Sequence, residues 1–269
     1  MKAYECEHGI LYCENCLDTM GRMENDTVDL TVTSPPYDNL RDYNGYSFDF
    51  ESIAKELFRV TRPGGVVVWV VGDATVKGTE TGTSFKQALY FKETGFNLHD
   101  TMIYSKAGFA NPSNNRYHQT FEYMFVLSKG NPKTFNPIKD RKNISKNRGG
   151  DCKRQKDGSM VRGNNGGLSL SKYGQRYNIW HYKIGGGNIS TDRISANHPA
   201  AFPEQLSQDH ILSWSNEGDT VYDPFMGSGT TAKMACHNNR KFIGSELSEE
   251  YCEIAKSRVI IERSQLRFI

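Results

Sequence analysis

The sequence predicts an α/β fold in which a doubly wound, mainly parallel sheet is covered by helices on both faces. Segments rich in β-branched residues alternate with segments of helical spacing, which is typical of strand–helix–strand units. The run Val66 to Val71 is continuously apolar, as expected of a strand buried on both faces. A strongly basic stretch, Lys139 to Arg176, interrupts this alternation and predicts an insert in the core.

The predicted elements are separated by Pro, Gly or polar residues. Strands are expected at 28–34, 66–71, 98–104, 121–127, 220–223 and 241–247. Helices are expected at 50–60, 84–93, 203–214, 229–237 and 248–266, the last beginning with acidic residues in its positive first turn. Because ligands of such sheets bind beyond the carboxyl ends of strands, a site is expected in the loops after Ser34, Val71, Asp223 and Glu246.

Composition excludes several classes of protein. The 269 residues are 37% hydrophobic and 24% charged, with 14 Phe and 14 Tyr, which is enough apolar material for a packed core. The apolar run 66–71 is far shorter than the roughly 20 residues of a membrane span. The N-terminus shows no apolar segment of a secretory signal, and six cysteines in this length do not indicate a disulfide scaffold. We therefore expect an intracellular protein in a reducing compartment.

Positive charge is concentrated in residues 139–176, which carry eleven cations and three acidic residues. This stretch has a net charge of +8, which leaves −6 for the rest of a chain whose total is +2. Seven glycines and few periodic apolar residues favour a long mobile insert over a packed element. A basic insert in an otherwise acidic chain suits a polyanion such as nucleic acid, although a merely solvated surface loop is the alternative.

The first candidate site is a Gly-rich turn between a predicted strand and helix, Asp-Pro-Phe-Met-Gly-Ser-Gly-Thr-Thr at 223–231. Glycine lets the backbone approach a ligand closely, and a helix start offers unpaired N–H groups. The next strand ends at Glu246, where a carboxylate could accept hydrogen bonds from ribose hydroxyls. No Lys follows the glycines, so the pattern indicates a nucleoside cofactor rather than a phosphate-binding P-loop; an ordinary structural turn is the alternative.

The second candidate site is Ser34-Pro35-Pro36-Tyr37, directly after the first predicted strand. Two prolines stiffen the loop and leave carbonyl groups without local donors. The Ser34 hydroxyl adds an acceptor, and the Tyr37 ring adds a flat stacking face. These features suit a planar ring that bears an amino group, with an ordinary Pro-Pro turn as the alternative.

Together the two motifs resemble those of the S-adenosylmethionine-dependent DNA amino-methyltransferases. The catalytic tetrapeptide of that family, (Asp/Asn/Ser)-Pro-Pro-(Tyr/Phe), is matched by 34–37, and its cofactor motif is similar to 223–231. A catalytic motif first and a cofactor motif last, with target recognition between them, is the order of the β group. Further stretches agree with the family, at 15–18, 63–73, 121–130 and 198–204.

The resemblance implies a Rossmann-like, doubly wound methyltransferase sheet with permuted motif order. Residues 1–130 would form the catalytic half of the core, 131–196 a basic target-recognition insert, and 197–269 the cofactor-binding half. The implied cofactor is S-adenosylmethionine and the implied partner is double-stranded DNA, in the cytoplasm of a bacterium or phage-infected cell, near the nucleoid. No membrane and no metal is implied, and a homodimer and a separate cognate restriction enzyme are left open.

The resemblance also assigns roles to individual residues. The catalytic residues would be Ser34, Pro35, Pro36 and Tyr37. The cofactor would contact Asp223, Pro224, Phe225, Gly227, Ser228, Gly229, Thr230, Glu246, Phe202, Pro203 and Cys16. DNA would contact Lys139, Arg141, Lys142, Arg148, Lys153, Arg154, Arg162 and Arg176.

The implied reaction places a methyl group on the exocyclic amine of a base flipped out of the duplex. Serine at the first motif position is associated in the family with cytosine N4, and aspartate with adenine N6. Cytosine N4 is therefore favoured, with adenine N6 as the alternative. Methylation of a cytosine ring carbon needs a cysteine nucleophile, usually beside proline, and none of the six cysteines has a proline neighbour.

Other candidates remain open. A zinc site could use Cys6, His8, Cys13 and Cys16, although free or structural thiols are favoured. Asp73 could line the pocket or cap a turn. Arg116, Tyr117 and His118 could contact DNA or lie at an ordinary surface. The aromatic residues at the end of the insert, which could stack on bases or anchor the insert, are Tyr173, Tyr177 and Trp180.

Two other functional classes share some of these sequence features. A nicotinamide-dependent oxidoreductase also uses a Gly-rich turn and an acidic residue, but it would not explain 34–37 or the basic insert. A non-catalytic DNA-binding module would explain the basic insert but leave the Gly-rich turn without a role. Transfer of a labelled methyl group from S-adenosylmethionine to DNA distinguishes these classes.

Overall fold

The computed structural model describes residues 2–36, 48–108, 114–146, 152–163, 169–183, 190, 192 and 203–266. Tyr37, Arg148 and Phe202, which the sequence singled out, lie outside these ranges. The chain divides into two compact units, one formed by 1–136 with 178–269 and the other by 137–177. No helix among the residues described has the length and apolarity needed to cross a membrane.

Helices and strands alternate through the larger unit. Its helices are α1 (Cys16–Arg22), α2 (Phe50–Val60), α3 (Thr83–Glu93), α4 (Glu204–Trp214), α5 (Thr230–His237) and α6 (Glu249–Leu266). Its strands are β1 (Lys2–Cys6), β2 (Gly9–Cys13), β3 (Val28–Thr33), β4 (Thr61–Val71), β5 (Thr75–Val76), β6 (Thr79–Glu80), β7 (Asn97–Lys106), β8 (Phe121–Ser128), β13 (Ile179–Tyr182), β14 (Thr220–Asp223) and β15 (Lys241–Glu246). The smaller unit contains β9 (Arg141–Lys142), β10 (Cys152–Arg154), β11 (Met160–Arg162) and β12 (Tyr173–Gly174).

Within the described part of the chain, nine strands form one sheet in the order β1-β2-β15-β14-β3-β4-β8-β7-β13. The central run from β2 to β4 is parallel, whereas β1 is antiparallel to β2, and β8 is antiparallel to both β4 and β7. The predicted α/β class with a mainly parallel sheet is therefore confirmed. Two of the antiparallel pairs, β1–β2 and β7–β8, join successive strands with no helix between them.

The core explains why β4 is continuously apolar. Val67, Trp69 and Val71 belong to a cluster with buried side chains of α1, α2 and α3. The alternate residues, such as Val68, are equally buried and point to the opposite face, where α4, α5 and α6 pack on each other and on the sheet. Both faces of this strand are therefore covered, as its sequence predicts.

Several elements differ from the sequence-based expectation. Strand β4 begins at Thr61, not Val66, because Thr61 pairs with Val28. The register then shifts, and the extra residues lie in β4, between Thr61 and Val66. The edge strands β1 and β13 were not predicted. In the smaller unit, β10 pairs with β11 and β9 with β12, so the insert contains short strand pairs that the sequence did not predict. All residues of β10 and β11 are exposed. Main-chain hydrogen bonds join both pairs, and the Asp157-Gly158 turn connects β10 to β11.

Candidate active site

The two candidate motifs lie at the same edge of the sheet. Strands β3 and β14 are parallel neighbours, with Thr31 opposite Tyr222, so their carboxyl ends adjoin. There the Thr33 hydroxyl donates a 2.6 Å hydrogen bond to Asp223 Oδ1 across 190 residues of sequence. The loop that begins at Ser34 and the Gly-rich turn that follows Asp223 therefore start side by side.

Asp223 is a buried carboxyl group that joins these loops. Its Oδ1 also accepts a hydrogen bond from the backbone N–H of Phe225, at 3.0 Å. Burial raises the pKa of Asp223 to about 6, although hydrogen bonds from Thr33, Thr231 and Phe225 favour the ionised form. With only 1% of its surface exposed, Asp223 holds the loops in place through contacts within the protein.

The Gly-rich turn depends on its glycines for two different reasons. Gly227 and Gly229 have φ angles of +52° and +80°, which favour glycine. A Cβ on Gly229 would lie 2.7 Å from the Cβ and 2.8 Å from the Cα of Ala255 on α6. The turn also folds back on β15, since the N–H of Met226 donates to the carbonyl of Ser245 at 2.9 Å. Helix α5 then begins at Thr230 without a side-chain cap.

Glu246, at the end of β15, reaches the Gly-rich turn. Its Oε2 accepts from the N–H of Gly227 at 2.9 Å, and its Oε1 accepts from the N–H of Ser248 at 2.8 Å. Burial raises the pKa of Glu246 above its ordinary value. A carboxylate oxygen has a second lone pair, so each oxygen can also accept from a ligand hydroxyl.

Aromatic and thiol groups surround the turn. Phe225 is half-buried and packs edge-on against Trp69 and Phe48, with ring centroids 6.0 and 5.7 Å apart. Cys16 is buried at the start of α1, and burial raises the pKa of its thiol to about 12. The neutral thiol of Cys16 therefore packs in the hydrophobic core cluster that also contains Tyr222.

The remaining motif residues lie where their strands and helices end. Pro35 is buried, and Ser34 and Pro36 are half-buried, directly after β3. Pro203 is buried immediately before α4. Pro224 and Ser228 are buried in the Gly-rich turn.

The structure decides between the alternatives that the sequence left open for Asp73 and Trp180. Asp73 caps α3: it accepts from the N–H of Ser84 at 2.8 Å, where the preceding Gly82 offers no side chain. Trp180 is buried against the His210 ring, 4.6 Å between centroids, so it anchors β13 and is not available to stack on a base. The cysteines are free thiols, and no cluster of metal-ligating side chains occurs among the described residues.

The residues that the sequence proposed as DNA contacts differ in their exposure and in their interactions with other residues. Arg116 donates to the carbonyl of Gly78 in the β5–β6 hairpin at 2.6 Å, and Tyr117 and His118 are exposed. In the smaller unit, Arg176 pairs with Asp140 and Arg141 lies 4.6 Å from the centroid of the Tyr177 ring. The other predicted DNA contacts in the described residues are exposed, namely Lys139, Lys142, Lys153, Arg154 and Arg162.

Sequence reasoning missed a group of buried charges beside the Gly-rich turn: Asp192, Glu204, Lys233 and Arg258. One signal was present for Arg258. It lies one helical turn from the buried Ala255 and Glu262 of α6, so a helical wheel places it on the inner face.

Comparison with known proteins agrees with this arrangement of motifs. Residues 28–257 match the family model N6_N4_Mtase, described as DNA methylase. The chain is 62% identical over 236 residues to the orphan methyltransferase M.BamHII of Bacillus amyloliquefaciens, covering 87% of this chain and 89% of that protein. It is 26% identical over 289 residues to the type II methyltransferase M.SmaI of Serratia marcescens, covering 90% and 87%.

Solved structures share the fold. The PvuII DNA methyltransferase (cytosine-N4-specific) superposes with a TM-score of 0.70 at 22% identity, covering 95% of this chain and 87% of that one. The complex of M1.HpyAVI with SAM gives a TM-score of 0.60 at 21% identity, covering 93% and 98%. Since the family model spans both motifs and most of the sheet that brings them together, the chain belongs to the N6/N4 DNA methylase family, and it is a DNA methyltransferase of the amino-methylating type.

Proposed function

We propose that the protein transfers a methyl group from S-adenosylmethionine to the exocyclic amine of a flipped base in double-stranded DNA, with cytosine N4 favoured over adenine N6. The observation that carries this proposal is the hydrogen bond between Thr33 and Asp223. It places the loop of Ser34 next to the Gly-rich turn, so that a base held by one loop can meet a cofactor held by the other.

The residues around the Gly-rich turn fit this cofactor. Glycines at 227 and 229 bring the backbone close to a ligand, and Glu246 offers carboxylate lone pairs at the end of the adjoining strand, suited to a ribose diol. When bound, S-adenosylmethionine supplies an electrophilic methyl group on a positively charged sulfur. The half-buried Phe225 ring and the buried Pro203 would exclude water from this position.

The loop after β3 supplies acceptors for the amine of the base. The amine nitrogen is a poor nucleophile because its lone pair is delocalised into the ring. The hydroxyl of Ser34 and the carbonyl of Pro35 would accept its two hydrogens and draw the nitrogen toward a tetrahedral geometry. Positioning and electrostatics then account for most of the rate, without a covalent intermediate. The neutral, buried thiol of Cys16 also argues against methylation of a ring carbon.

Cytosine N4 is favoured on two grounds. Serine stands at the first position of the tetrapeptide, and the structural neighbour at TM-score 0.70 is described as cytosine-N4-specific. The test is methylation of plasmid DNA by the purified protein, followed by nucleoside mass spectrometry. We expect N4-methylcytosine; N6-methyladenine would establish the alternative base, and 5-methylcytosine would overturn the proposed chemistry.

The smaller unit is proposed to bind DNA. Its exposed cations suit phosphate contacts, which position a protein on the duplex. A homodimer and a cognate restriction enzyme stay predictions: the relative at 62% identity is named an orphan methyltransferase, while M.SmaI is named a type II methyltransferase. Size-exclusion chromatography with light scattering, with and without DNA, tests the homodimer.

A further inference from the structure

Four charged side chains are packed together beside the Gly-rich turn. This buried charge cluster consists of Asp192, Glu204, Lys233 and Arg258, whose side chains are 18%, 8%, 5% and 0% exposed. Among the residues that the structure describes, two acids here pair with two bases. Removing charges from water is costly, so such a cluster is retained in a fold only where its hydrogen bonds are well satisfied.

Arg258 lies at the centre of the buried charge cluster. Its Nε donates to Asp192 Oδ2 at 3.0 Å, and its Nη2 donates to Glu204 Oε1 at 2.6 Å and to the Ser190 hydroxyl at 3.2 Å. The planar guanidinium has five N–H donors in a fixed fork. These contacts occupy one side of the fork, and the remaining nitrogen faces the Gly-rich turn.

That nitrogen, Nη1, donates to the carbonyl oxygen of Ser228 at 2.7 Å and to the Ser228 hydroxyl at 3.1 Å, with the Thr230 hydroxyl 3.2 Å away. The N–H of the same Ser228–Gly229 peptide donates to the carbonyl of Met226 at 2.9 Å. Because a peptide unit is planar and trans, holding its C=O and its N–H fixes the orientation of the whole unit. The peptide unit that precedes the left-handed Gly229 is thereby held at both its C=O and its N–H.

The buried charge cluster also reaches the start of α4. Glu204, the first residue of α4, accepts from both Arg258 and Lys233, and Lys233 on α5 also donates to Asp192 at 2.8 Å. The Gly-rich turn and the residue that follows Pro203 therefore share one guanidinium. Both are regions to which the proposed function assigns cofactor contacts.

From this geometry we propose that Arg258 is a positioning residue for cofactor binding, which fixes the Ser228–Gly229 peptide of the Gly-rich turn and ties it to the start of α4 through Glu204. The proposal rests on the assignment of the Gly-rich turn to S-adenosylmethionine. Arg258 itself would not contact the cofactor, because its donors are directed to protein acceptors.

The test is Arg258→Lys, which keeps the positive charge but replaces the five-donor fork by a single ammonium group. The matched control is Arg240→Lys, because Arg240 is also buried but donates to the carbonyl of Ser215, after α4, at 2.8 Å. The affinity for S-adenosylmethionine is measured by calorimetry, kcat and KM by tritium transfer to DNA, and Tm by calorimetric scanning.

We expect Arg258→Lys to weaken cofactor binding about tenfold or more, as loss of a charge-assisted hydrogen bond implies. Its KM for the cofactor should rise by a similar factor, while kcat at saturating cofactor stays within about twofold. The Arg240→Lys variant should lower Tm but bind S-adenosylmethionine within about twofold of wild type, because it does not touch the turn.

Wild-type affinity in a folded Arg258→Lys protein, or a fall in kcat alone, would overturn the proposal and leave Arg258 as a scaffold residue. If Arg258→Lys fails to fold, Glu204→Gln is measured in its place. We expect its Kd for the cofactor to rise about threefold, and an unchanged Kd would contradict the proposal.

The variant Glu246→Ala distinguishes a failure of the proposed cofactor site from a failure of the role proposed for Arg258. If it too binds like wild type, the Gly-rich turn is not the cofactor site; if it alone loses affinity, only the role of Arg258 is wrong.

Discussion

At the scale of single residues, Asp223 carries an ionisable group where charge is costly. Its raised pKa, about 6 against an ordinary 3.8, means that the folded protein holds this proton more tightly than the unfolded chain does. The stability contributed by the protonated form is complete below about pH 4 and is lost as pH rises through about 6. Above that pH the folded protein bears the full cost of a buried charge, which the hydrogen bonds from Thr33 and Phe225 offset only in part.

We therefore predict that Asp223→Asn stabilises the protein at pH 7.5. The amide oxygen can still accept from Thr33 and Phe225, and the cost of ionisation, of the order of 3 kcal/mol for a shift of about two pKa units, is removed. Urea unfolding should show this gain at pH 7.5 and almost none near pH 4. The control is Asp18→Asn, because the side chain of Asp18 is exposed. Its free energy of unfolding should change by no more than about 0.5 kcal/mol at either pH. A gain that is equal at both pH values would contradict the linkage to Asp223.

Ser34 is the residue on which the proposed chemistry depends most directly. We predict that Ser34→Ala lowers kcat about 100-fold, since loss of one preorganised hydrogen-bonding group in an active site has effects of this size. The affinity for S-adenosylmethionine should stay unchanged, because the Gly-rich turn is intact. Single-turnover methyl transfer and cofactor titration measure the two quantities. A kcat equal to that of wild type would remove Ser34 from the reaction.

At the scale of elements, the contact between the Gly-rich turn and α6 sets how tightly the site is packed. A side chain at Gly229 would meet the Cβ and Cα of Ala255 while the backbone stays left-handed. We predict that Gly229→Ala costs about 2–4 kcal/mol, from strain of about 1 kcal/mol and overpacking of about 1–3 kcal/mol. The control is Gly218→Ala, because Gly218 has a similar φ of +82° with no atom in contact. Only the strain should appear there, and equal losses in Tm would contradict the packing argument.

Periodicity was sufficient to predict most elements but not their pairing. The helix at 50–60 and the strand at 220–223 match the structure residue for residue, because helical spacing and β-branched runs are local signals. Strand β13 was not predicted, since Ile179 to Tyr182 forms a strand only by pairing with β7, far away in sequence. Asp73 likewise could be identified as a cap only once α3 was seen to begin beside it.

At the scale of the whole chain, the candidate site could be predicted because its two motifs each follow a strand of a parallel sheet. Parallel neighbours bring their carboxyl ends to one edge, whatever their separation in sequence. The buried charge cluster could not be predicted in this way. Arg258 meets Asp192 and Glu204, 66 and 54 residues away, and no local pattern tells which charges are removed from water together.

The distribution of charge leads to a prediction about DNA binding. Each phosphate contact releases counterions, so log Kd should rise with log salt by about 0.9 per contact. We predict that replacing three exposed lysines of the smaller unit by alanine lowers this slope by about 2–3 and leaves the cofactor affinity unchanged. The three are Lys139, Lys142 and Lys153. Fluorescence anisotropy with a labelled duplex measures the slope of log Kd against log salt. The salt concentration is varied between roughly 50 and 200 mM, where the loss of affinity from counterion release is large.

Removing any three positive charges changes the net charge of the chain from +2 to −1, so the control must do the same elsewhere. Three exposed lysines of the larger unit serve, namely Lys55, Lys92 and Lys241. Long-range attraction between protein and duplex would fall in both triple variants, whereas loss of direct phosphate contacts would lower the slope in the first alone. An identical slope in both variants would show that the concentration of charge in residues 139–176 is a solvated surface and that DNA is held by other parts of the chain.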